Sequence, residues 1–300
     1  MRVGFVGLGN MGGPMCGHLV SAGFDVTAFD LDDAALARLV EAGARAAGSA
    51  ADCAHGAEAL ITMLPAPPHV EQVLLGEGGA LAALEPGSIA IDMSTSSTAV
   101  GARVVAAARS RGVDVLDAPV AGQSIGAQAG MLAIYVGGDE AVFARARPLF
   151  EVMGDPERIF HLGSNGAGYT VKLLLNLLWF IQSVAVGEVL SVGARAGMSL
   201  DKLHAALVGS PANSVFLERD VRMVLDDGDY DEAFPMRLVT KDLGLAVDLA
   251  RDAGVPVELT GLVEQIHRRA RAQYGDDAGQ ISAVRLYEDL AGVTLRLGET

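Results

Sequence analysis

Val3-Gly4-Phe5-Val6-Gly7-Leu8-Gly9-Asn10-Met11-Gly12 opens the chain with a short apolar run that passes straight into Gly-x-Gly-x-x-Gly. A helix-like segment rich in small residues, Met15 to Ala22, follows. Each glycine has its own task in such a strand–turn–helix. Gly7 permits the tight bend, Gly9 lets the backbone approach a pyrophosphate, and Gly12 lets the helix pack close to the strand. The helix N-terminus then offers free N–H groups and a positive dipole end to the phosphates. With 37 glycines in 300 residues the spacing alone would arise by chance, so the flanking pattern decides. A second apolar run, Val26 to Phe29, ends at Asp30, roughly 20 residues after the glycines, where an acid can hydrogen-bond a ribose hydroxyl. A carboxylate there repels a 2′-phosphate, and Leu31-Asp32-Asp33 brings no Arg or Lys to attract one, so the pattern favours NAD. Asp32 or Asp33 also suits the cap of a helix beginning at Ala34.

Outward from this turn, strand and helix signals alternate. The predicted strands are Arg2–Val6, Asp25–Phe29, Ala59–Leu64, Ser88–Met93, Val113–Asp117, Met131–Val136 and Arg158–His161. Helical windows rich in Ala and Leu lie between them at Asp33–Ala42, Ser97–Arg111 and Asp139–Met153. That rhythm predicts an α/β fold with a Rossmann-type, doubly wound, mostly parallel sheet, whose ligand groups sit at the carboxyl ends of the strands. After about Gly163 the character changes to helical periodicity with no convincing strand. The segment from Lys172 to Glu188 holds no charge between its ends, and reads as a core helix buried on all sides by neighbours or a partner subunit. Its uncharged run is short of the ~20 apolar residues of a membrane span. Further helices are predicted at Leu200–Val208, Val215–Leu225, Lys241–Ala253 and Leu259–Tyr274, with Gly254 and Pro256 punctuating one boundary. The expected organisation is a dinucleotide-binding domain over residues 1–162 and an all-α domain over 163–300.

Composition narrows the function classes. A net charge of −15 argues against a nucleic-acid partner, and Arg268-Arg269-Ala270-Arg271 is the only basic cluster. The two cysteines, Cys16 and Cys53, have no metal-like spacing and fit a reducing cytosol; no metal is expected. A strand starting at residue 2 leaves no room for a signal peptide, so a soluble cytoplasmic protein is expected.

The second strong signal is Gly166-Ala167-Gly168-Tyr169-Thr170-Val171-Lys172-Leu173-Leu174-Leu175-Asn176. Lys172 and Asn176 stand at i and i+4 and share one helical face. A lysine at the start of an apolar helix is costly to bury unless paired or functional. Gly166 and Gly168 allow close approach by a cofactor or by another backbone. Two readings stand side by side here: a functional lysine, or one snorkelling from a buried helix with Asn176 satisfied in the core.

Taken together, these segments resemble the β-hydroxyacid dehydrogenase family, the group of 3-hydroxyisobutyrate dehydrogenase and tartronate semialdehyde reductase. The resemblance covers essentially the whole chain. It runs from Gly7-Leu8-Gly9-Asn10-Met11-Gly12-Gly13-Pro14-Met15 through Met63-Leu64-Pro65, Asp92-Met93-Ser94-Thr95 and Asp117-Ala118-Pro119-Val120-Ala121-Gly122. Gly126-Ala127, Gly130-Met131-Leu132, the Lys172 helix and Lys241-Asp242-Leu243 complete the series. The resemblance implies an NAD-dependent enzyme that interconverts a small β-hydroxy acid, or a related alcohol, and its semialdehyde. Lys172 would be the general acid/base, and Asn176 would orient it or hydrogen-bond the substrate. Gly7, Leu8, Gly9, Asn10, Met11 and Asp30 would hold the cofactor. Leu64, Pro65 and Thr95 would line its ribose and nicotinamide, with Thr95 also near the substrate. Lys241 would close over the cofactor; otherwise it is an exposed charge paired with Asp242 or Glu232. A homodimer or homotetramer packed through the helical domains is implied as well.

The chain departs from the family where the substrate carboxylate is held. Ser-Gly-Gly is usual after Asp-x-Pro-Val, and here Ala121-Gly122-Gln123 stands, removing a hydroxyl and adding a bulky amide. Gly122 and Gln123 are therefore expected at the substrate, in a pocket of altered shape. The usual proline after Ser94-Thr95 is also missing. Two other functions compete. An imine reductase-like enzyme usually has Asp or Tyr in place of the lysine, and a non-catalytic NAD-binding module would have no need of a buried general acid.

Overall fold

The computed structural model describes residues 1–231 and 234–298. Its main sheet has six parallel strands: β1 (Arg2–Val6), β2 (Asp25–Phe29), β3 (Arg45–Ala46), β4 (Ala59–Thr62), β5 (Ile89–Asp92) and β6 (Asp114–Asp117). They lie in the order β3-β2-β1-β4-β5-β6. The order reverses between β1 and β4, the switch point at which a doubly wound sheet opens a crevice at its carboxyl edge. Helices cover both faces, as a parallel sheet requires. One apolar cluster gathers Phe5, Leu19, Ile61 and Phe150; another gathers Leu60, Val70, Leu81 and Val104.

The last two predicted strands do not extend this sheet. They form a smaller one, in which β7 (Val120–Ala121) pairs antiparallel with β8 (Leu132–Val136), and β8 pairs parallel with β9 (Gly154–His161). Pro119, which has no N–H to offer a ladder, stands where the chain leaves β6. The predicted helices of this half are found at Asp33–Glu41, Thr98–Arg109 and Glu140–Met153. Asp32 is the cap of the first of these, its carboxylate accepting from the N–H groups of Ala34 and Ala35.

The chain divides into two compact units, Met1–Lys172 and Leu173–Thr300. A 29-residue helix, Ala167–Arg195, runs from the first into the second. Among the described residues of the second unit the helices are joined by loops and one isolated β-bridge, Pro235 to Gly279, with no strand. Leu200–Val208, Met236–Asp252 and Glu258–Tyr274 match the periodicity, and Ser282–Ala291 is an addition to it. Where one helix was predicted over Val215–Leu225, a π-helical turn at Phe216–Asp220 leads into a short helix, Arg222–Asp227. Gly254 follows the cap of Met236–Asp252 at φ +68°, the left-handed conformation that ends helices. This unit has its own core, with Phe180, Val239, Leu243 and Val263 in one cluster and Leu190, Phe216, Val224 and Ile281 in another.

The long helix is not buried on all sides within one chain. Leu174, Leu178, Val189 and Val192 are 46–69% exposed, and their spacing of four, eleven and three residues places them in one stripe. By length and composition alone this helix could cross a membrane. Its opposite side packs within the protein, with Phe180, Ser183 and Val184 buried in the helical unit.

Candidate active site

Strand β1 delivers the chain into the glycine turn at the carboxyl edge of the sheet. Gly7 has φ +96°, and a Cβ there would lie 2.3 Å from the carbonyl oxygen of Met63, just past β4. Gly12 is equally constrained, since its Cβ would lie 1.9 Å from the oxygen of Gly7. Gly9 differs from both: a Cβ there would meet nothing within 4 Å. The turn is thus locked by its outer glycines and open at its middle one, which is the shape a pyrophosphate needs. Asp30, at the end of β2, accepts from the N–H of Leu8 at 2.5 Å and from that of Asp32 at 2.8 Å. It thereby fixes the turn. These features fit a dinucleotide, with Gly7 to Gly12 and the helix Gly12–Ser21 holding the phosphates and Asp30 the ribose.

Leu64, Pro65 and Thr95 follow β4 and β5 along the same edge. Ser94 ties these two loops together, its Oγ accepting from Leu64 N–H at 2.8 Å and donating to Asp92 Oδ1 at 2.6 Å. Asp92 is 4% exposed and also accepts from Thr62 Oγ1 at 2.7 Å and from the Tyr169 hydroxyl at 2.6 Å. Burial pushes its pKa up, while the Ser94, Tyr169 and Thr62 hydroxyls pull the other way.

The adjacent carboxylate, Asp117, is the register partner of Asp92 and ends β6. It accepts from the N–H groups of Gly166 at 2.7 Å and Tyr169 at 3.1 Å, so it caps the first turn of the long helix. Burial pushes its pKa up to about 6 against the pull of those N–H groups. Gly168 lets this turn sit flush on the sheet: a Cβ would lie 2.3 Å from the Tyr135 oxygen and 2.6 Å from that of Asp117. Of the two partners expected for Gly166 and Gly168, the second thus meets another backbone. One turn later stands Lys172, 9% exposed. The leucines beside it do not share one environment, for Leu173 is buried and Leu174 half exposed.

Asn176 and Lys241 meet a common partner in the helical unit. The Asn176 amide donates to Asp242 Oδ2 at 2.7 Å, and Lys241 Nζ lies 3.1 Å from Asp242 Oδ1. Lys241 is accordingly no exposed surface charge, at 19% side-chain exposure. Glu232 lies outside the described residues.

Gly122 and Gln123 form the turn between β7 and a helix at Gln123–Ala129. Gly122 has φ +131°, and Gln123 has φ +57°, the one positive value at a non-glycine among the described residues. The backbone keeps a glycine-like conformation with a glutamine in it.

Sequence reasoning missed Tyr169, the roles of Asp92 and Asp117, and the Asn176 amide on Asp242. The three aspartates lie inside the quoted motifs, but Tyr169, Gly166 and Asn176 reach them from 77, 49 and 66 residues away.

Comparison with known proteins identifies the family. Residues 2–163 match the NAD binding domain of 6-phosphogluconate dehydrogenase, and residues 166–287 match the NAD-binding domain of NADP-dependent 3-hydroxyisobutyrate dehydrogenase. The chain is 34% identical to 2-(hydroxymethyl)glutarate dehydrogenase of Eubacterium barkeri, over 100% of this chain and 99% of that one. It is 38% identical to an NAD-dependent L-serine dehydrogenase of Pseudomonas aeruginosa, covering 89% and 91%. Among solved structures, Mycobacterium tuberculosis 3-hydroxyisobutyrate dehydrogenase with L-serine superposes with a TM-score of 0.88 at 32% identity, covering 95% and 98%. With the two family models matched in order along the chain, and relatives matched over nearly their full length, the chain belongs to the β-hydroxyacid dehydrogenase family and is an NAD-binding dehydrogenase.

Proposed function

We propose that this enzyme oxidises the terminal hydroxymethyl group of a small β-hydroxy acid to the semialdehyde, and runs the reverse reduction, with Lys172 moving the proton. The observation that supports it best is Lys172 itself, buried at the start of a helix whose first turn is held by the ends of β5 and β6. Bound NAD supplies the hydride acceptor, at nicotinamide C4. The proton is left to the protein: as hydride departs from carbon, the hydroxyl proton passes to the neutral amine of Lys172, and in reduction the ammonium returns it to the carbonyl oxygen. Asn176 and Lys241, both held by Asp242, are read as the substrate-binding and cofactor-binding residues of the helical unit.

The substrates named for the relatives share a carbon that cycles between alcohol and aldehyde next to the carbon bearing a carboxylate. They differ in what else that carbon bears. Thr95, Gly122 and Gln123 are read as lining the substrate. The Gln123 amide in place of glycine favours a substrate with an acceptor that it can reach over 3-hydroxyisobutyrate, whose methyl group offers none. The exposed stripe of Leu174, Leu178, Val189 and Val192 is read as the face covered by a second copy of the chain, in a cytoplasmic homodimer or tetramer. Sedimentation as a monomer at micromolar concentration would sink that part.

The test is turnover measured by NADH absorbance on 3-hydroxyisobutyrate, L-serine, 2-(hydroxymethyl)glutarate and, in reverse, 2-hydroxy-3-oxopropionate. Lys172→Ala is expected to lower kcat by roughly two to four orders of magnitude, as for other positioned acid/base groups, with NADH binding retained. Near-normal turnover in that variant would show Lys172 to be structural.

A further inference from the structure

We infer that Tyr169 is a positioning residue for Lys172, acting through Asp92. The inference rests on the reading of Lys172 as the proton-transferring group, and adds a mechanism for keeping it in place.

Tyr169 stands three residues before Lys172, so the two side chains are neighbours on the helix surface. The Tyr169 ring is 3% exposed and its hydroxyl donates to Asp92 Oδ2 at 2.6 Å. The other oxygen of the same carboxylate accepts from Thr62 and Ser94, and Ser94 in turn accepts from Leu64 N–H. One buried carboxylate therefore joins three things: the Leu64-Pro65 loop, the Ser94-Thr95 loop and the helix turn that carries Lys172. The first two are the loops read as lining the nicotinamide. The third holds the proton acceptor. A hydride and a proton must leave one carbon and its oxygen together, and a misplacement of about 1 Å is enough to slow such a step about a hundredfold.

The anchors on this turn divide the work. Asp117, holding Gly166 and Tyr169 N–H groups, fixes the helix along its axis. Gly168 sets its height above the sheet. Both act on backbone close to the helix axis, where they have little leverage against the rotation that would swing Lys172. The Tyr169–Asp92 bond, made at the end of a long side chain, has the leverage to oppose it. A cavity of about 630 Å³ lies beside the turn, bounded by Gly101, Val105, Asp92, Asp117 and Tyr169. One face of the ring packs on Gly101, where a Cβ would lie 2.8 Å from Tyr169 Cε2. Packing and the hydroxyl tether together set the ring's angle, and only the tether ties it to the two loops.

Tyr169→Phe removes the tether and keeps the ring. Turnover on L-serine or 3-hydroxyisobutyrate, whichever the enzyme uses better, is expected to fall about tenfold in kcat, with KM and NADH affinity by fluorescence titration unchanged. In the cofactor-free protein, acetylation of Lys172 by acetic anhydride, followed by peptide mass spectrometry, is expected to rise severalfold as the turn loosens. Asp92→Asn should lower kcat as well, and the double variant should fall no further than Asp92→Asn alone, the mark of residues acting through one bond. If Asp92→Asn does not fold, the single-hydroxyl variant still decides. Unchanged kcat and unchanged acetylation in Tyr169→Phe would overturn the inference, and so would a loss of NADH affinity in proportion to kcat, which marks general disruption. Lys172→Ala is assayed alongside. A dead Lys172→Ala beside a fully active Tyr169→Phe removes only the positioning role, whereas an active Lys172→Ala removes the reading of the site beneath it.

Discussion

Two Gly-x-Gly turns in the first unit look alike in sequence and serve opposite purposes. Each follows a strand, each opens a helix, and each is held by an aspartate at a strand end: Asp30 for Gly7-Leu8-Gly9, Asp117 for Gly166-Ala167-Gly168. The second glycine separates them. At Gly9 a side chain would meet nothing within 4 Å; at Gly168 it would strike the Tyr135 and Asp117 backbone oxygens. The first turn keeps space for a ligand, and the second gives its space to the protein. The aspartates follow suit. Asp30 stands in the partly exposed rim with both oxygens on backbone N–H groups, whereas Asp117 is buried enough for its pKa to be raised to about 6. A glycine fingerprint therefore reports that a backbone is approached closely, but not by what.

Alanine at the two positions would break this contrast if it is wrong. Gly168→Ala forces a Cβ against backbone that has no flexible end to yield, and overpacking of this kind costs about 3 kcal/mol. The expected result is a fall of several degrees in melting temperature together with lost turnover. Gly9→Ala is expected to melt as the unmodified protein does and to lose NADH affinity by roughly tenfold or more, about 1.4 kcal/mol per decade. Equal melting losses in the two variants would show that both turns are structural.

Asp30→Ala sharpens the first half of the contrast. We read the carboxylate as accepting ribose hydroxyls and repelling a 2′-phosphate, so its removal should narrow the preference for NAD over NADP, by weakening the first and sparing the second. Comparable kcat/KM with both cofactors in the unmodified enzyme would defeat this reading of Asp30.

The first turn was legible in the sequence because its physics is local: apolar strand, glycines and acid fall within one βαβ stretch, and the strand order confirms what they implied. The helical unit was legible in outline for a similar reason, through the 3.6-residue periodicity. What escaped has no local signal. β3 and β7 are two residues each, too short to show alternation. Tyr169 meets Asp92 across 77 residues, and Asp117 caps a helix 49 residues away. In sequence Tyr169 is one more large residue near the start of an apolar helix. Asp242 read as half of a surface ion pair, and only the fold shows that it also takes the Asn176 amide. The long helix was legible only in part. Its composition implied burial by neighbours or by a partner subunit, and within a single chain one stripe of it stays open.

A third turn extends the contrast, with the smallest effect. At Gly122-Gln123 the family pattern has glycine twice and this chain has it once, yet Gln123 still holds φ +57°. A residue with a Cβ in the left-handed region gives up about 1–2 kcal/mol against its ordinary conformation. Glycine would be relieved of that cost, but it also gains freedom in the unfolded chain, worth about 0.4–1 kcal/mol in the opposite sense. Gln123→Gly is therefore expected to be stabilising by somewhat under about 1 kcal/mol, seen as a melting temperature equal to or slightly above that of the unmodified enzyme. On our reading that this loop lines the substrate, the strain is kept for what the side chain does there, so the same variant should change the ranking of the four test substrates. A fall in melting temperature would mean that the Gln123 side chain makes contacts worth more than the strain. In that case the turn would belong with Gly168 among the packed positions, not with Gly9 among the open ones.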